Sequence, residues 1–187
     1  MPIITSEKGE KEGIIQAANL MMISARTAPK SGGVDDIIAV TALGAEKDKL
    51  ATEMEKIAGE RGVEGFRRDA KNVRDSDAVV LIGLMGTGSF ELDCSACGYQ
   101  NCAEFEKAEK KSGQDFVGPN CIFKILDLGI ALGSAVKTAS ALNVDNRIVY
   151  KVGAVAKRLK QLPKAGVIVG IPISARGKNI YFDRKWP

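Results

Sequence analysis

Four cysteines, all that the chain has, fall within residues 94–121, and no histidine occurs among its 187 residues. Their spacing is C-x2-C-x4-C-x18-C: Cys94, Cys97, Cys102 and Cys121. Thiols this dense either pair as disulfides in an oxidising compartment or hold a metal centre in a reducing one. The start, Met1-Pro2-Ile3, soon turns charged and carries no basic leader with an apolar run and a cleavage site. That predicts a cytoplasmic protein, and so a metal centre. A cubane needs one thiolate per iron. Three ligands close in sequence can wrap it only if the loop turns tightly, which Gly98 permits. The fourth arrives from a distance through Gly118-Pro119-Asn120-Cys121. The pattern therefore predicts a [4Fe-4S] cluster on these four cysteines. Backbone N–H groups in such a loop can point at the sulfurs. Cys121 stands where a long helix should begin, and a helix N-terminus favours negative charge. Zinc also takes four cysteines, but its sites usually pair two C-x2-C knuckles and the second is missing here.

The absence of His removes Ser-His and Cys-His nucleophile pairs, zinc-hydrolase triads and the imidazole general base. No residue qualifies as a catalytic acid or base, so the catalytic set is unknown and a cofactor must carry most of the chemistry. A net charge of +4, with no basic run interleaved with aromatics, gives no ground for a nucleic-acid surface. The most apolar stretch, Ile122 to Leu142, contains Lys124, Asp127 and Lys137, which argues for a buried helix and against a membrane span.

Apolar spacing predicts a helix from Gly13 to Ala28, started by Thr5 or Ser6 and stopped by Pro29 and Gly32-Gly33. A strand is expected at Ile37–Leu43, then a charged amphipathic helix from Glu46 to Arg61 with Leu50, Met54 and Ile57 on one face. A polar connection carrying Arg67, Arg68, Lys71 and Arg74 leads to a strand buried on both faces, Asp77–Gly83. The cysteine stretch interrupts this pattern with a short charged helix, Ala103–Lys111. After it come the helix Ile122–Leu142, apolar almost all round, a helix Arg147–Lys160 and a buried strand Gly166–Pro172. The fold class predicted is α+β, a sheet covered by helices, with residues 1–91 and 122–187 as the sandwich and 92–121 as an inserted lobe.

The C-x2-C-G-x3-C opening with its distal Cys resembles the small four-cysteine [4Fe-4S] domain of electron-transfer complex subunits and corrinoid iron–sulfur proteins. The whole chain resembles a family of bacterial and archaeal proteins described only as containing a ferredoxin domain. Ser24-Ala25-Arg26-Thr27-Ala28-Pro29-Lys30, the cysteine loop, Gly170-Ile171-Pro172-Ile173-Ser174, Gly177-Lys178-Asn179 and Phe182-Asp183-Arg184 carry that likeness. Ala25 to Pro29 and Gly170-Ile171-Pro172 are also similar to motifs of flavin nitroreductases, as is the element order. That resemblance implies a homodimeric sandwich with FMN at the dimer interface. Gly32 and Gly33 stand where those enzymes carry an Asn, and their opening arginine pair is absent.

Arg26, Lys30, Gly32 and Gly33 are candidates for an anionic cofactor such as FMN; the same residues also make an ordinary helix stop with left-handed glycines. Gly86-Thr87-Gly88-Ser89 lacks the Lys and spacing of a P-loop and reads as a tight turn. Met21 and Met22 read as core. Glu104, Glu106 and Glu109 with Lys107, Lys110 and Lys111 read as a solvated face, or as a docking surface for a redox partner protein. Lys178, Asp183 and Arg184 read as a surface or dimer contact. The functional expectation is an electron carrier or small reductase. The alternative is a binding or regulatory protein whose cluster or zinc is a sensor or a staple.

Overall fold

The computed structural model describes residues 3–86 and 88–182. Thr87, Asp183 and Arg184, singled out in the sequence, lie outside the described residues.

Helix α1, Ser6–Thr27, starts on Thr5, whose hydroxyl accepts the Lys8 N–H at 3.4 Å. After a 3-10 turn, Ser31–Gly33, come strand β1, Ile37–Ala42, helix α2, Gly44–Arg61, and helix α3, Glu64–Asp75. Strand β2, Ala78–Leu84, precedes the cysteine stretch, which holds helix α4, Cys102–Lys107, and a hairpin of β3, Lys111–Ser112, with β4, Val117–Gly118. Helix α5, Ile122–Ala141, strand β5, Asp145–Asn146, helix α6, Tyr150–Arg158, and strand β6, Val167–Ser174, complete the chain. The main sheet runs β1-β2-β6-β5 with every neighbouring pair antiparallel.

Period-two alternation explains the uninterrupted apolar run of β2. Val79 and Leu81 join the core formed with α2, α3 and α6. Ala78, Val80, Ile82 and Leu84 join the opposite core, formed with α1 and α5. Helices thus cover both faces, which is the expected α+β sandwich. Helix α6 lies directly on β6, and two glycines make this possible. A Cβ on Gly153 would come within 1.7 Å of the Ile168 carbonyl, and one on Gly170 within 2.2 Å of Val152.

Three local expectations need correction. The polar connection is helix α3: Phe66, Ala70 and Val73 recur at helical spacing and are buried, while Arg67, Lys71 and Arg74 make ion pairs with acidic neighbours. The helix expected from Arg147 begins only at Tyr150, because the sheet claims the preceding backbone: Val149 N–H donates to Gly170 O at 2.8 Å. Helix α5 is not enclosed on all sides. Leu128, Ala131, Leu132, Ala135 and Ala139 face the core, whereas Leu126 is 51% and Ile130 45% exposed. In addition α4 stops at Lys107, leaving Lys111 to β3. No helix among the described residues is long and apolar enough to cross a membrane.

Candidate metal centre

The chain leaves the sheet at Leu84 and returns to the body at Cys121, so all four cysteines lie on one excursion. Its first part folds through residues at positive φ: Glu91, Asp93, Ser95 and Gly98. Side chains hold that conformation. Asp93 and Cys102 exchange two bonds: Cys102 N–H donates to Asp93 Oδ1 at 2.7 Å, and Asp93 N–H donates to Cys102 Sγ at 3.4 Å. Ser95 Oγ donates to Gln100 O at 2.8 Å, and Gly98 N–H closes a turn on Ser95 O at 3.0 Å. Asn101 caps α4 by accepting Glu104 N–H at 2.9 Å. Tyr99 meets the buried Phe105 ring edge-on at 5.8 Å between centroids.

Two of the cysteines therefore stand at helix starts, Cys102 as the first residue of α4 and Cys121 as the N-cap of α5. Cys121 is buried at 7% exposure; Cys97 and Cys102 are half-buried and Cys94 is exposed. No disulfide engages any of the four. Among the described residues, no three His, Cys, Asp or Glu side chains are gathered closely enough to hold a metal ion. In chemistry the donor set fits an iron–sulfur group: four unpaired thiols, one already accepting a backbone N–H and another at a helix N-terminus.

Lys110 lies against this segment. Its ammonium donates to Pro119 O and sits 4.5 Å from the Phe105 ring centroid. Burial pushes it below the ordinary lysine value, while the charge of Cys121 pulls the other way. Sequence reasoning read Lys110 only as part of a solvated face or docking surface; the contact depends on the hairpin bringing residue 119 back to residue 110.

The second candidate set is gathered at the end of α1. Lys30 Nζ caps that helix, donating to the carbonyls of Ala25 at 3.0 Å, Arg26 at 2.5 Å and Ala28 at 2.9 Å. Arg26 donates to Asp35 and to Ile37 O at 2.7 Å. Burial works to raise the Asp35 carboxyl, but Arg26, the Ile37 N–H and Lys30 outweigh it and hold it below the usual carboxylate value. Gly32 and Gly33 form the next turn at φ +58° and +72°. Ser31 ties this turn to α5, its N–H and hydroxyl both donating to Asp127 Oδ1 at 2.9 Å. Phe90 lies against Gly32, where a Cβ would meet its ring at 2.5 Å, and pairs with Phe123 at 6.1 Å between centroids. Beside it, Lys124, 2% exposed, pairs with Asp36 at 2.6 Å. The sequence registered Lys124 and Asp127 only as charges in an apolar helix.

A cleft of about 280 Å³ separates the hairpin tip from α2 and α6, lined by Arg61, Asp115, Phe116 and Lys157 among others. Asp115 anchors the tip, accepting from Arg61 at 2.7 Å and from the Tyr150 hydroxyl at 2.7 Å.

The fold is that of the nitroreductases. Nitroreductase A from Vibrio parahaemolyticus superposes with a TM-score of 0.51 at 12% identity, over 96% of this chain and 62% of that one. A Desulfovibrio desulfuricans protein assigned as a nitroreductase and solved in complex with FMN gives 0.54 at 11% identity, over 100% and 82% of the two chains. The chain spans about three fifths of the Vibrio protein's length. Residues 117–184 match the family described as uncharacterized proteins containing a ferredoxin domain, a match that includes Cys121 and begins after the other three cysteines. An uncharacterized protein from Archaeoglobus fulgidus is 50% identical over 183 residues, 97% of this chain and 98% of its own length. The chain belongs to this ferredoxin-domain family, and the ferredoxin domain by which the family is described supports a redox-related role.

Proposed function

We propose that this protein is a cytoplasmic redox protein that holds a [4Fe-4S] cluster on Cys94, Cys97, Cys102 and Cys121 and passes single electrons to or from a partner protein. The observation that carries this reading is that every cysteine of the chain is unpaired and lies on one excursion between β2 and α5, in the spacing C-x2-C-x4-C-x18-C. Bound there, the cluster supplies reversible one-electron chemistry. The chain's own contribution is to fold the first three ligands through positive-φ turns and to present the fourth at a helix N-terminus.

FMN belongs to the proposal as a second cofactor, near Arg26, Lys30, Gly32 and Gly33. Its support is the fold shared with a flavin-bound neighbour and the glycine turn beside these cations. With flavin present, the protein would join one-electron to two-electron chemistry as a reductase. A second copy of the chain belongs to it as well. On the exposed side of α5, Gly129 and Gly133 have nothing within 4 Å of a built Cβ and are flanked by the exposed Leu126 and Ile130. Glycine inside a helix costs roughly 1 kcal/mol relative to alanine. Two of them on an open apolar face suit the close approach of a symmetry-related helix.

Anaerobic purification followed by a visible spectrum and iron, sulfide, zinc and flavin analysis tests the reading. About four irons and four sulfides per chain, with a broad absorption bleached by dithionite, is the expected result. A colourless protein with about one zinc per chain would overturn it in favour of a stapled binding module.

A further inference from the structure

Lys110 is tied to both chain segments that deliver the later cysteines. Phe105, whose ring its ammonium overlies at 4.5 Å, stands one helical turn after Cys102. Pro119, whose carbonyl accepts from it, stands two residues before Cys121. The two contacts fix a charge that a free surface lysine would sweep through solvent. Lys107, in the last turn of α4, differs in this respect: both lysines are exposed, but among the described residues Lys107 makes no such bond or ring contact.

We propose that Lys110 is a potential-setting residue: its ammonium, held between the Phe105 ring and the carbonyl of Pro119, two residues before Cys121, favours the reduced state of the centre proposed for the four cysteines. This rests on the cluster reading given above. One electron, delivered by an external one-electron donor, makes the site one charge more negative, with no bond made or broken. A cation fixed nearby stabilises that added charge, and raises the midpoint potential, in proportion to its proximity and to the low polarity around it. Phe105 contributes the low polarity, since its ring occupies one side of the ammonium that water would otherwise fill. The position is one of tuning: Lys110 touches no reacting atom and donates no proton.

The experiment is a potentiometric titration of the anaerobically purified full chain, followed by its visible and electron paramagnetic resonance spectra, with dithionite as the reductant. Lys110→Met is expected to shift the reduced-to-oxidised ratio at a fixed poise roughly threefold toward oxidised, about 28 mV lower for one electron at 59 mV per tenfold. Lys110→Arg, which keeps the charge, is expected to stay near the parent value. Lys107→Met, which removes the same charge from a neighbour that lacks those two contacts, is expected to move it far less. An unchanged midpoint in Lys110→Met with full iron and sulfide overturns the assignment, as does an equal shift in Lys107→Met, which would make the effect a property of the segment's overall charge. Loss of iron in Lys110→Met while Lys110→Arg holds its cluster at an unaltered potential gives Lys110 a purely structural role and also overturns it. A parent protein free of iron defeats the cluster reading itself, a result distinct from each of these.

Discussion

The central strand and the cysteine segment are built on opposite terms. Every residue of β2 is buried, and its backbone is paired on both sides by β1 and β6. Between Leu92 and Asn120 only Phe105 is buried; residues 93–104 are held by the side chains of Asp93, Ser95, Asn101 and Glu104 bonding to nearby backbone, and the hairpin tip is tied to the body through Asp115. Burial gives the sandwich its order without help. The segment gains little from burial and has turns that L-residues seldom adopt, so a metal centre of the kind proposed would add stability that packing does not supply. A protein that must keep a rigid frame and load a cofactor can separate the two tasks in this way.

The strongest way to break that contrast is to truncate one anchor in each region. Leu81→Ala, at the centre of the sheet, is expected to lower global stability by about 2–5 kcal/mol in a denaturant melt. Phe105→Ala is expected to cost the global transition less than about 1 kcal/mol while speeding proteolytic nicking between residues 92 and 120, because the segment opens locally. Equal losses in the two melts would make the segment part of the body's cooperative unit.

A smaller effect tests whether the two regions communicate through Phe90. Gly32 and Gly33 both have positive φ, so alanine costs roughly 1–2 kcal/mol at either. Only at Gly32 does a new Cβ meet the Phe90 ring; at Gly33 nothing lies within 4 Å. Gly32→Ala should therefore be the more destabilising, and a Phe90→Ala background should erase the difference. A difference that survives the loss of Phe90 would mean that the ring transmits nothing.

The smallest effect concerns pH. Since the folded Asp35 carboxyl lies below its ordinary value of 3.8, its contribution is whole above that value and disappears as pH falls through the lowered one. Melts of wild type and Asp35→Asn should differ at neutral pH and converge in acid, the gap staying under about 1 kcal/mol for a pair this open to solvent. A gap that widens in acid would reverse the sign of the assignment.

Much of this was legible from residue order. The three long strands were visible as β-branched runs because a strand covered on both faces needs no polar alternation. The cysteines proposed as ligands stand out by spacing, a local property, and their assignment is the part of the proposal that iron analysis tests. Helix α3 was hidden because charge dominates its composition, although Phe66, Ala70 and Val73 kept the helical period. The start of α6 was hidden because Ile148 and Val149 are equally at home beside a sheet, and only the sheet's edge decides. The bonds of Lys110 to Pro119 and of Ser31 to Asp127 join residues whose encounter depends on the fold, so no local pattern announces them.

Asp36 has a wider consequence. Its carbonyl accepts the Met85 N–H at 3.0 Å where the chain departs from the sheet, and its carboxylate pairs with Lys124 where the chain comes back. One residue of the body therefore clasps both lips of the excursion, as a socket grips a plug. Both lips are held from the body, and doubling a closed loop costs only about 0.6 kcal/mol. The scaffold is thus suited to exchange: segments of other lengths, carrying other ligands, can be seated in the same socket without redrawing the sandwich beneath.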